Sequence, residues 1–110
     1  MSTQSLAGYK VLVSYNYSSG REMAYRRFMV SQWLPAVQAL GLEPLQLFHI
    51  MWGAYPIRLV VLYAEDERVL KQALRSQDWA LWLQRLENHV EGLRYCVVRA
   101  QPWLQLCEPD

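Results

Sequence analysis

The sequence is poor in chemical devices. Its 110 residues hold two cysteines, five glycines, five prolines and two histidines, and eleven basic residues nearly balance ten acidic ones. A net charge of +1, with no Lys/Arg run longer than Arg26–Arg27, excludes the electrostatic footprint of a nucleic-acid binder. No apolar run approaches the roughly 20 residues that span a bilayer, so no membrane insertion is expected. The opening MSTQSLAGYK has neither the basic start nor the apolar core of a secretion signal, which points to a cytoplasmic protein. Cys96 stands in an apolar run and Cys107 near the end. That is neither a metal-ligand spacing nor a disulfide framework, so two reduced thiols are expected. No dinucleotide, flavin or metal motif is present, and no cofactor is expected. SSGR after the first apolar segment lacks the glycine spacing of a phosphate loop. Ser14, Ser18 and Ser19 lie in no nucleophile elbow, and Glu65, Asp66 and Glu67 read as the acidic start of a helix.

Apolar residues, by contrast, are abundant at 53%, with five tryptophans among them. A chain of this length builds one core. Residues 9–101 read as the domain, with tails at 1–8 and 102–110. YKVLVSYNY, Tyr9 to Tyr17, is β-branched and aromatic and reads as a strand. From Arg21 to Leu40 the period becomes helical, with Met23, Val30, Trp33, Leu34, Val37 and Leu40 on one face and Gly41 as the stop. Tyr25, Phe28 and Ala39 then fall opposite that face and call for a second contact, with the C-terminal tail or a partner subunit. Pro35 removes the amide that would bond the Ser31 carbonyl, so a kink near Gln32 is expected. LQLFHIMW and IRLVVLY, joined through Gly53 and Pro56, read as a hairpin. Asp66 caps a second helical region, which SQD can divide at Ser76 or Asp78 and which Gly92 ends. LRYCVVRA supplies the last strand.

The order is β-α-β-β-α-β. It implies an α+β, ferredoxin-like domain with a four-stranded antiparallel sheet and its helices on one face. The first strand and the hairpin are apolar on both sides, so the helix-free face requires cover. A homodimer paired through that face is the expectation, with Trp103, Leu104 and Leu106 of the tail joining the contact.

The passages SQWLPAVQALGLEPLQLF and ALRSQDWALWL, set in that order of elements, resemble the dimeric α/β-barrel superfamily, nearest to its NIPSNAP-like and antibiotic-biosynthesis-monooxygenase-like domains. The resemblance runs from about Tyr9 to Ala100. It implies paired sheets and a pocket between each sheet and its helices. Haem-degrading members use an Asn on the first strand with a Trp and a His from the second helical region. Asn16 matches, but the other two positions fall near Gln72 or Ala73 and near Trp82, so Trp79 and His89 agree in type and not in place.

Six residues remain as candidates for lining a ligand site: Tyr15, Asn16, His49, Tyr63, Trp79 and Trp82. Large rings around a few isolated polar groups are the usual lining of a small-molecule pocket. His49 is the candidate general base, although no ligating side chain stands two residues away, where Leu47 and Met51 lie. Equally, Trp79, Leu83 and Leu86 form a helical stripe that suits core packing, His49 suits a packed histidine with one ring nitrogen satisfied, and His89 suits a surface cap. The resulting expectation is a self-associating α/β-barrel domain that holds a small apolar or aromatic molecule. The alternative is a cofactor-independent monooxygenase or isomerase acting on an aromatic or polyketide-like substrate.

Overall fold

A computed structural model describes residues 8–17, 20–52 and 55–107. The expected features at Ser18, Ser19 and Gly53, and the side chains of Trp52 and Pro56, lie outside the described residues. The strands are β1 (Tyr9–Tyr17), β2 (Glu43–Trp52), β3 (Tyr55–Ala64) and β4 (Val90–Arg99), all paired antiparallel in the order β2-β3-β1-β4. The helices are α1 (Glu22–Phe28), α2 (Leu34–Ala39), α3 (Glu67–Leu74) and α4 (Gln77–Glu87), with a π-helical turn, Met29–Trp33, joining the first two. This is the ferredoxin-like arrangement.

Local chemistry sets most boundaries. Asp66 accepts the Val69 amide at 2.9 Å and Ser76 the Trp79 amide at 3.1 Å, so each of α3 and α4 has its own cap. Gly41, at φ +98°, ends α2 with the Gly41 amide on the Gln38 carbonyl and the Leu42 amide on that of Val37. Gly92 does not end α4. The helix closes at Glu87, and Gly92 sits inside β4 at φ +65°, in a bulge between the pairs Ser14–Arg94 and Asn16–Glu91.

The first helical face departs from the period expected of it. Met23 is 75% and Val30 71% exposed, whereas Tyr25, Phe28, Met29, Trp33 and Val37 are buried. In an α-helix Val30 would share a face with Trp33, three residues on. The π turn, with the Leu34 amide bonded to Met29, swings Val30 outwards and brings Phe28 round to the core. Pro35 then falls in the first turn of α2, where its missing amide costs little. Tyr25 and Phe28 therefore need no outside contact: Tyr25 meets Tyr15, and Phe28 stacks on His89 at 4.3 Å, which makes that histidine a packed ring rather than a surface cap. Ala39 is exposed.

The main core lies between helices and sheet and includes Val11, Val13, Val60, Leu62, Trp33, Trp79 and Leu86. A second, smaller cluster of Leu12, Leu59 and Val61 lies on the helix-free face. It is covered within the chain. The tail runs back across it, and Cys107 packs there with Phe48, Ile50 and Val98. Two reduced thiols were the expectation, but Cys96 and Cys107 form a disulfide, with Cα atoms 5.8 Å apart. The return of the tail over β4 brings together two residues whose spacing gives no hint of pairing. Lys10 is the other tie: its Nζ donates to the carbonyls of Gln101 at 2.6 Å and Trp103 at 3.2 Å. Burial lowers the Lys10 pKa from its ordinary value. Among the described residues no helix is long and apolar enough to cross a membrane.

Candidate functional site

Strand alternation divides the six candidate residues between the two faces of the sheet. The register sets His49 opposite Arg58, and Arg58 opposite Tyr15, in one row on the helix side. Tyr15 is buried and shares a hydroxyl–hydroxyl hydrogen bond with Tyr25 of α1. The Arg58 side chain is only 12% exposed and lies 4.0 Å from Glu22. Burial raises the Tyr15 pKa far above the ordinary phenol value; Tyr25 pushes the same way and the Arg58 charge opposes. A hydrogen-bonded phenol pair beside a guanidinium is thus built into an otherwise apolar core. His49 stands at the exposed, β2 end of the row.

Trp79 lies at the opposite margin. It is buried between Trp33 and Tyr95 of β4, with ring centroids 6.4 and 5.3 Å away, and its indole N–H has no hydrogen-bond partner among the described residues. Three strand spacings, about 14 Å, separate the margin of β4 from that of β2. Trp82 is half-buried: it leans on Phe28, carries the Arg85 guanidinium over its ring at 4.6 Å, and through its carbonyl accepts the Trp33 indole N–H at 3.0 Å. The rings and His49 do not converge on one cavity.

Asn16 and Tyr63 point to the other face. Tyr63 pairs with Lys10 across β3 and β1. Asn16 is half-buried, and its Oδ1 has no hydrogen-bond partner among the described residues. On this face the tail borders a half-open pocket of about 180 Å³. Ile50, Ile57 and Leu59 form its floor, Leu106 and Cys107 the wall supplied by the tail, and Ser14 with Arg94 its polar side. A hollow of about 210 Å³ at the β2 bulge, between Leu34 and Leu47, has no charged residue in its lining.

None of these lining residues is among the six candidates. The available signal is Arg94, a charge within the apolar strand segment LRYCVVR, set opposite Ser14. The apolar tail, Leu106 included, signals in the sequence that it packs on this face, but its place as the wall of a pocket within the same chain depends on the disulfide, which the spacing of Cys96 and Cys107 does not announce.

No family model matches the chain, and no curated protein is recognisably similar to it. Solved structures do match in fold. A NIPSNAP family protein from Agrobacterium tumefaciens aligns at a TM-score of 0.67 and 9% identity, covering 94% of this chain and 95% of that one. An EthD (ethyl tert-butyl ether) family protein from Bacillus halodurans aligns at 0.66 and 14%, covering 86% and 99%. An antibiotic biosynthesis monooxygenase-like protein from Nitrosomonas europaea aligns at 0.59 and 8%, covering 93% and 97%. At these identities the likeness is one of fold, and it agrees with the resemblance read from the sequence.

Proposed function

We propose that this chain is a self-associating α/β-barrel-type domain that binds one small apolar or aromatic molecule, held in the pocket between the helix-free sheet face and the C-terminal tail. The observation that carries the reading is the make-up of this half-open pocket: an apolar floor, a wall of chain tied down by Lys10 and by the disulfide, and polar groups on one side only. Tyr63 and Asn16 share that face of the sheet; Tyr15, His49, Trp79 and Trp82 lie on the helix side of it. Native mass spectrometry of the oxidised chain with a panel of small aromatic and branched compounds tests this. One-to-one adducts, lost on replacing Leu106 with Trp to fill the pocket, are the expected result; no adduct with any compound overturns it.

Self-association fits the outward side of the same tail. Trp103 and Leu104 are exposed there. A homodimer burying about 1,600 Å² in total is expected, and sedimentation showing only monomer at micromolar concentration would exclude it. Residence in the cytoplasm would place the disulfide in a reducing thiol pool. Trapping free thiols in intact cells distinguishes the bonded from the reduced chain there.

The enzyme reading, a cofactor-independent monooxygenase or isomerase, is favoured by a different observation, the Tyr15–Tyr25 hydroxyl pair beside Arg58. Preorganised donors of this kind stabilise a developing oxyanion. A turnover screen on aromatic and polyketide-like substrates tests it, with activity expected to fall at least tenfold in Arg58→Met.

A further inference from the structure

We propose that the ligand of the tail pocket is a small monocarboxylate, its acid group on Arg94 and Ser14 and its short branched or aromatic body between Ile50, Ile57, Leu59 and Leu106. The proposal rests on the reading of that pocket as the ligand site and names the class of molecule it takes.

Ser14 and Arg94 are direct partners across β1 and β4, so their side chains leave the same face of the sheet. Partners in such a pair stand about 5 Å apart at Cβ, close enough for a hydroxyl and a guanidinium to reach one carboxylate. Both are uncommitted: Arg94 forms no salt bridge and Ser14 no side-chain hydrogen bond among the described residues. The other cation on this face, Lys10, is taken up by the tail carbonyls of Gln101 and Trp103. Among the described residues one cation, Arg94, therefore lines the pocket, beside Ser14 at one side, and the remaining lining side chains are apolar or disulfide sulfur.

That asymmetry selects the ligand. A guanidinium presents paired donors that match the two oxygens of a carboxylate, and such charge-assisted bonds are roughly twice as strong as neutral ones. A neutral amide or alcohol fills the same apolar space without that bond. A dicarboxylate seated in the same way would either set its second charge against Ile57 and Leu59, where its desolvation is uncompensated, or leave the apolar floor to keep that charge in water. The volume of about 180 Å³ sets the size, since a cavity of about 150 Å³ lined by similar side chains accepts one benzene ring.

The test is calorimetric titration of the full oxidised chain with benzoate, isovalerate, benzamide, benzyl alcohol and inorganic phosphate. Benzoate and isovalerate are expected to bind at least tenfold more tightly than the amide and the alcohol, and phosphate is expected not to saturate. Arg94→Gln, at an exposed position that should leave folding intact, is expected to remove that tenfold preference while leaving the affinity for benzyl alcohol unchanged. Ser14→Ala should weaken benzoate alone. Neutral analogues that bind as well as benzoate, with Arg94→Gln silent, overturn the carboxylate assignment and leave the pocket standing. Absence of binding by every compound, or binding that survives Leu106→Trp, overturns the pocket itself.

Discussion

Cys107 is bonded to Cys96 over a separation of eleven residues, and its Sγ lies 3.7 Å from the Leu12 carbonyl oxygen, on the sheet face that carries no helix. The bond thus fixes the tail over the centre of that face rather than at its rim. Closing a loop of this length restricts the unfolded chain by about 3 kcal/mol. Replacing both cysteines with serine should lower the melting temperature by about 10 °C, and a thiol-alkylating reagent should leave the mass of the untreated, folded protein unchanged. Alkylation of both cysteines without reductant would show that the bond is absent.

The π turn makes opposite predictions for neighbouring residues. Met23→Lys and Val30→Lys should each change stability by less than about 0.5 kcal/mol, because both side chains are exposed. Phe28→Ala should cost about 3 to 5 kcal/mol, since it removes the ring between Trp82 and His89. Chemical denaturation of the three variants checks this. A regular α-helix through 29–33 would reverse the order for Val30 and Phe28.

Gly8 tolerates no side chain. A Cβ there would fall on the Ala64 carbonyl oxygen and within 2.8 Å of the Glu65 carbonyl oxygen and the Tyr63 hydroxyl. The Gly8 carbonyl also accepts the Ala100 amide at 2.9 Å, which ties the start of β1 to the end of β4. Gly8→Ala should destabilise the fold by about 3 kcal/mol, read as a shift in the denaturation midpoint.

Tyr15 gives stability an alkaline limit. Burial, then Tyr25, raise its folded pKa well above the ordinary 10.0, against the opposing pull of Arg58. The folded state therefore keeps a proton that the unfolded state gives up. This contribution is fully present below pH 10 and is lost as pH rises above it. Tyr15→Phe should flatten the fall of stability above pH 10. Tyrosinate absorbance should show one tyrosine that ionises only on unfolding; its titration in the folded protein near pH 10 would refute the assignment.

Much of the architecture is local in origin and was legible in the residues. The β-branched and aromatic run of Tyr9–Tyr17 makes a strand, and Asp66 and Ser76 start α3 and α4 through bonds to amides three residues on. The order of elements then leaves few topologies, because one tight hairpin between β2 and β3 and two helical crossovers of fixed hand admit little else. Where the sequence went astray, a local rule met a distant contact. Helical period could not register a turn wound at i→i+5, whose inserted phase is stabilised by Phe28 packing on Trp82 and His89, far along the chain.

Residue types named Tyr15, Asn16, His49, Tyr63, Trp79 and Trp82, but the type of a strand residue does not settle its face, since one step of register reverses it. Pairing with Arg58 and with Lys10 decided that Tyr15 and His49 look one way and Tyr63 the other. The apolar excess on both sides of the sheet was evident from composition and alternation, as was the consequence that a second cover is needed. Which segment supplies cover within the chain is a tertiary matter. Lys10 and Cys96 reach residues that the backbone brings back only after β4 is complete, and the energy of those ties exists only when the sheet is already formed.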